Sequence, residues 1–140
     1  MRAAFVTCVQ IGLSCMEEIY ELGGELVLAF TLHDHMAANK SGRVWIDDFC
    51  HKHNIRLEKI RHINDGELAK AAYREKIDWI FIIGWSQIAN FEVLSSPRCG
   101  TLGMHPTLLP EGRGRASIPW AILKDLRQTG VTLFKLDEGV

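Results

Sequence analysis

His105 ends an apolar run and opens a loop rich in proline, glycine and arginine, Pro106 to Arg115. An imidazole at a strand end can polarise a carbonyl or pass a proton near neutral pH, although a lone histidine also serves structure. Arg113 and Arg115 flank Gly114 in that loop. Two guanidinium groups on a glycine-bearing loop suit a phosphate or carboxylate, and otherwise form a solvated surface. Upstream, Gly84-Trp85-Ser86-Gln87-Ile88-Ala89 follows the most strand-like segment of the chain. Glycine permits a tight turn there, and Gln87 with backbone groups suits a planar heterocycle; the plainer reading is a turn with Trp85 in the core. His33, His35, Cys50, His51 and His53 invite a metal reading. They lack a four-ligand spacing, and His51 and His53 project apart on a helix, so no metal is expected. Trp45, Trp79 and Trp120 read as core residues.

Strands alternating with helices must position these groups. Ala3 to Val9 is a short apolar run, as a buried strand requires. Ser14 and Glu17 have capping-box spacing ahead of a helix that Gly23-Gly24 stops. Glu25 to Leu32 reads as a second strand, His33 to Gly42 as a loop, and Val44 to His53 as a helix. Ile55 to Ile60 alternates apolar and charged residues like an edge strand. Asn64 and Glu67 repeat the cap spacing before a helix ending near Glu75. Asp78 to Ile83 is a strand, Phe91 to Leu94 a short helix and Thr101 to His105 another strand. Ser117 is placed to cap a helix with Pro119 in its first turn, and Gly130 to Leu136 is the last strand. The pattern implies an α/β domain with a mostly parallel sheet and helices on both faces.

In such sheets ligands bind outside the carboxyl ends of the strands. That rule selects Val9 to Gly12, Gly84 to Asn90 and His105 to Arg115. The first lacks the G-x-G-x-x-G spacing of a dinucleotide site, and no P-loop lysine pattern occurs.

Composition sets the frame. The 140 residues carry 16 basic and 17 acidic side chains, a net charge of −1, with 47% hydrophobic and 24% charged residues. That is one ordinary globular domain with no global electrostatic pull toward nucleic acid or membrane. No apolar run approaches a bilayer span. Cys8, Cys15, Cys50 and Cys99 have no framework-like spacing, which suits a reducing, cytoplasmic setting.

Gly103-Met104-His105-Pro106-Thr107-Leu108-Leu109-Pro110-Glu111-Gly112-Arg113-Gly114 resembles the signature of folate-dependent formyltransferases, Asn-x-His-Pro-Ser-Leu-Leu-Pro followed by Arg-Gly. Thr129 to Leu133 and Leu136 to Val140 are similar to the T-G-V-T and D-x-G-x-D-T-G segments of that family. Asp78 to Ile88 resembles its strand and folate-contacting loop. The resemblance covers Asp78 to Val140 closely and the first half only in its pattern of elements. It implies a Rossmann-like fold, 10-formyltetrahydrofolate as formyl donor, and catalysis by an asparagine, a histidine and an aspartate. The asparagine and histidine would stabilise an oxyanion while the aspartate holds the histidine.

Carried onto this chain, His105 matches the histidine. Gly103 stands at the asparagine position, and the aspartate would follow Val140, so residues 1–140 read as an N-terminal portion of the domain with weak or no activity alone. A backbone N–H, Ser86, Gln87 or Asn90 is left to replace the missing donor. By the same resemblance Trp85, Ser86, Gln87, Ile88 and Ala89 hold the pterin, and Arg113 and Arg115 meet the anionic part of the acceptor. The Glu-Gly-Arg-Gly-Arg run is nearest to sugar N-formyltransferases, which implies a small amine, an amino sugar on a nucleotide carrier. A non-catalytic folate- or nucleotide-binding module remains the alternative, ahead of an unrelated nucleotide-binding regulator. No nucleic acid or membrane partner is expected. An exposed edge after the last strand favours self-association, a homodimer being one outcome.

Overall fold

The computed structural model describes residues 1–139. Six strands form one sheet: β1 Ala3–Val6, β2 Leu28–Leu32, β3 Arg56–Ile60, β4 Trp79–Ile82, β5 Gly100–His105 and β6 Thr132–Lys135. Between them lie α1 Gln10–Glu21, α2 Asp47–Lys52, α3 Glu67–Arg74, α4 Phe91–Ser95 and α5 Ser117–Leu123, with a 3-10 turn over Asp34–Asn39. The spatial order is β3-β2-β1-β4-β5-β6. All neighbours are parallel except β5 and β6, where His105 faces Thr132 in an antiparallel pair. This is the Rossmann-like α/β architecture, and its strand order reverses between β1 and β4. In open α/β sheets ligands bind at the carboxyl ends of the strands beside such a reversal.

Alternation along β1 distributes the core between the two faces. Ala4 and Val6 join Phe30, Ile60, Leu68, Ala72 and Ile80 on one side, under α3 and α4. Ala3 and Phe5 join Met16, Ala29, Ile46 and Cys50 on the other, under α1 and α2. Strands buried on both faces account for their nearly unbroken apolar runs.

Helix starts differ from those expected. α1 begins at Gln10 directly after Val9, with no side-chain cap, so Ser14 lies inside the helix and accepts from Gln10 Nε2 at 3.2 Å. Gly12 makes the early start possible, because a Cβ there would overlap the Thr7 hydroxyl. α3 is preceded by Gly66 in a left-handed conformation, φ 87°. Asn64 instead ties down a distant loop, as described below. Ser117 is the first residue of α5 and Ala116 occupies the cap position, with φ 57°. α2 is shorter than expected because Val9 and Arg43 form a bridge and Val44 N donates to Cys8 O. Trp45 and Trp120, each 55% exposed, are not core residues. Among the described residues no helix is long and apolar enough to cross a membrane.

Candidate active site at the strand ends

β4 leaves the sheet through Gly84, φ +69°, at a point where a Cβ would overlap Val9 Cγ2. The β1 and β4 exits therefore touch, and only glycine lets them do so. The following loop is bound to the β3–α3 connection. Gln87 Oε1 accepts from Ile63 N at 2.8 Å and from Trp85 Nε1 at 3.2 Å, and Gln87 Nε2 donates to Arg61 O at 3.1 Å. Asn64 Nδ2 donates to Ile88 O and its Oδ1 accepts from Asn90 N, both at 2.9 Å. Asn90 Oδ1 accepts from Val93 N at 3.1 Å and caps α4.

These bonds divide the five loop residues. Trp85 and Ala89 pack against the core, and the amide of Gln87 is committed to the scaffold. Ser86 and Ile88 face outward, Ser86 Oγ accepting from Lys40 Nζ at 3.0 Å. The Gln87 amide and Asn90 Oδ1 thus hold the loop in place.

Gly103 is buried in β5 between Ile82 and Phe134. His105, two residues on, is half-buried, and its Nε2 lies 3.0 Å from Gly112 O. The loop between them is closed by Thr107 Oγ1 donating to Glu111 O at 2.8 Å. Thr132 Oγ1 in β6 donates to Thr107 O at 2.8 Å and accepts from Leu109 N at 3.2 Å. Arg113 and Arg115 are exposed and line a cleft of about 610 Å³ with Thr107, Trp120, Ala121 and Lys124. Lys124 Nζ sits 5.8 Å from the Trp120 ring centre. A second cleft of about 450 Å³ lies between α4 and the chain after β6, lined by Phe91, Leu94, Leu136, Asp137 and Glu138. Its Phe91 follows the 85–89 loop by two residues, and its Leu136 packs on the same core face as Trp85 and Ala89.

The expected loop over residues 33–42, together with Arg43 that follows it, carries a set of paired charges. Arg43, its side chain 3% exposed, donates to Leu32 O at 2.8 Å, also bonds Val44 O, and lies 3.8 Å from Asp34. Lys59 bridges Asp34 and Asp47 at 2.8 and 2.6 Å. The Lys59 bond holds the Asp34 carboxyl below its ordinary range, and the Asp34 bond raises the Lys59 ammonium in turn. Burial pushes the Cys8 thiol up at the end of β1. A guanidinium held this way is legible only once its burial is known. His53 packs at a tilt against Tyr20 and Phe49, ring centres 4.2 and 4.5 Å away, and His33 stacks on His35 at 5.3 Å. Among the described residues no three His, Cys, Asp or Glu side chains gather as a metal set.

The mostly parallel sheet, its reversal of strand order and the helices on both faces define a Rossmann-like α/β domain. A profile of the family described as formyl transferase matches residues 15–140, and the chain belongs to that family. It is 31% identical over 144 residues to a methionyl-tRNA formyltransferase of Agathobacter rectalis, covering 100% of this chain and 46% of that protein. The corresponding enzyme of Clostridioides difficile is 28% identical over 142 residues, again covering 100% and 46%. The chain thus spans slightly under half the length of these relatives. Among solved structures, phosphoribosylglycinamide formyltransferase from Bacillus halodurans superposes with a TM-score of 0.77 at 19% identity, covering 99% of this chain and 73% of that one. A 4-N formyltransferase from Francisella tularensis gives 0.67 at 16% identity, covering 99% and 51%. These two likenesses concern the fold.

Proposed function

We propose that the chain serves formyl transfer from 10-formyltetrahydrofolate to a primary amine, with His105 as the proton-handling group. The observation that carries this reading is the placement of His105 at the carboxyl end of β5, one strand from the strand-order reversal, within the stretch that resembles the family signature. When bound, the folate supplies an electrophilic formyl carbon. The outward face of the 85–89 loop and the adjoining cleft at Phe91, Leu94 and Leu136 fit a flat heterocycle with apolar contacts. Asp137 and Glu138 at its rim fit ring amino groups. Residues 1–140 are read as the N-terminal portion of the catalytic domain.

His105 takes up the proton that the attacking amine must lose. Gly103 has no side chain to donate a hydrogen bond, and removing one such donor typically lowers turnover about 10²–10³-fold. A weak or inactive isolated chain is the expectation. The cleft holding Arg113, Arg115, Lys124 and the Trp120 ring suits an acceptor that joins an anion to a planar base. A nucleotide-linked amino sugar meets that description. Sequence likeness to methionyl-tRNA formyltransferases favours a second acceptor, the amine of an aminoacyl-tRNA. The Gly103 substitution favours a further reading, folate or nucleotide binding without chemistry.

Calorimetric titration with 5-formyltetrahydrofolate tests the donor site. Saturable binding that Ile88→Asp or Phe91→Ala weakens supports it, and absence of binding by a folded chain overturns it. Release of tetrahydrofolate with a nucleotide-linked amino sugar, methionyl-tRNA and glycinamide ribonucleotide as separate acceptors then ranks the substrates. His105→Ala must abolish that release; unchanged turnover removes His105 from the mechanism.

A further inference from the structure

We propose that Thr107 and Thr132 are positioning residues that hold the Gly112 carbonyl against His105, so that Nε2 carries the hydrogen and Nδ1 alone handles the transferred proton. The inference rests on the reading of His105 as the proton-handling group.

A carbonyl oxygen can only accept, so the 3.0 Å pair of His105 Nε2 and Gly112 O requires hydrogen on Nε2. In the neutral ring Nδ1 then keeps its lone pair, and among the described residues it has no hydrogen-bond partner. What the carbonyl does depends on where the loop holds it. Gly112 has φ +67° and lies so near Thr107 that an added Cβ would sit 2.8 Å from Thr107 Cγ2. The preceding carbonyl, Glu111 O, is held by Thr107 Oγ1 at 2.8 Å. Glu111 N donates to Leu108 O at 3.0 Å, which closes the turn.

Thr107 is itself anchored from β6. Thr132 Oγ1 uses its one hydrogen on Thr107 O and a lone pair on Leu109 N. Thr132 is also the residue facing His105 across the β5–β6 ladder. One strand position therefore fixes the base of the histidine and the far side of its loop together. A hydroxyl is needed at both threonines, because a methyl in the same place neither donates nor accepts.

The proton balance follows. As the amine nitrogen bonds to the formyl carbon, its N–H breaks and the proton goes to Nδ1. As the bond from that carbon to the donor nitrogen breaks, Nδ1 returns the proton to that nitrogen. His105 ends neutral with hydrogen again on Nε2, and Gly112 O keeps the ring from changing tautomer between the two transfers. Asymmetric ligation of the second ring nitrogen is a common means of setting which nitrogen reacts.

The test is the tautomer of His105 in chain labelled with ¹⁵N-histidine, read from two-bond nitrogen–proton couplings with the ring neutral. The Nε2–H form is expected in the unaltered chain, and an Nδ1–H form overturns the proposal without any variant. Thr107→Val and Thr132→Val are expected to yield mixed tautomers. They should lower kcat roughly ten- to hundredfold with KM nearly unchanged. Thr107→Ser and Thr132→Ser should restore both readouts. Folded valine variants that lose turnover but keep the Nε2–H form overturn the positioning role and leave His105 as the acting group. Full activity in His105→Ala, with the tautomers as expected, instead overturns the function on which the proposal rests.

Discussion

Leu136 occupies the space that a side chain at Gly103 would need. A Cβ built on Gly103 would lie 3.0 Å from both Cγ and Cδ2 of Leu136. The glycine at the family's asparagine position is therefore matched by a neighbour packed against the same core face as Trp85. Gly103→Asn is expected to lower stability by roughly 1–3 kcal/mol, the usual range for overpacking a filled site. Leu136→Ala in the same chain should recover part of that loss, giving a coupling energy in a double-mutant cycle. Urea denaturation of the four chains measures it. Additive effects would show that the two positions are independent.

Two glycines with nearly the same backbone separate conformation from close approach. Gly84 has φ +69° with Val9 in the path of a Cβ, whereas Gly23 has φ +77° with nothing within 4 Å. Alanine at Gly23 should cost only the left-handed penalty, roughly 1–2 kcal/mol. Gly84→Ala must also move the β1 exit, so it should be the more destabilising of the two. Equal melting temperatures for the two variants would remove the close approach from the account.

The strands were legible because burial on both faces leaves apolar runs bounded by turn residues. Trp79–Ile82 and Gly100–His105 lie within a residue or so of the expected segments. Helix starts were less legible, since capping spacing competes with tertiary contacts. Asn64 is used to fix Ile88 and Asn90, residues distant in sequence, and α1 starts where Gly12 packs on Thr7. For the site, His105 and the 84–90 loop follow from the rule on strand ends. The roles of Arg43 and Thr132 do not, because both depend on burial or pairing across the chain.

Asp78 makes stability depend on acid. Arg2 N donates to Asp78 Oδ2 at 2.7 Å, and Arg98 pairs with the other oxygen. The Arg2 backbone bond, with the Arg98 side chain, holds this carboxyl below its ordinary value. A carboxylate whose pKa falls on folding adds stability above the unfolded value, about 3.9. That contribution is lost as pH drops through the lower folded value. Asp78→Asn should therefore melt below the unaltered chain at neutral pH, with the gap closing in the acid range. A gap that stayed constant down to pH 2 would rule out this linkage.

β6 is the last strand of the sheet among the described residues, and Val131 and Leu133 beside its edge are more than half exposed. An uncovered strand edge with apolar side chains recruits another strand. The 140-residue chain is expected to self-associate with rising concentration in sedimentation velocity. Leu133→Lys should shift it toward monomer. A single monomeric boundary over a hundredfold concentration range would count against this surface.

The four cysteines should differ in reactivity by where they lie. Cys99 is exposed, Cys15 half-buried, and Cys8 and Cys50 buried. Burial, reinforced by the nearby Asp47 charge, pushes the Cys50 thiol up to about 12, and burial also raises Cys8 and Cys15. Since the thiolate is the nucleophile, Cys50 is doubly protected, by access and by protonation. In the native chain at pH 8, a disulfide reagent should modify Cys99 first and Cys50 only on unfolding. Peptide mapping of the labelled chain with time gives the order. Labelling of Cys50 as fast as Cys99 would mean that α2 opens readily, and with it the packing of Cys50 against the Phe5 face of the sheet.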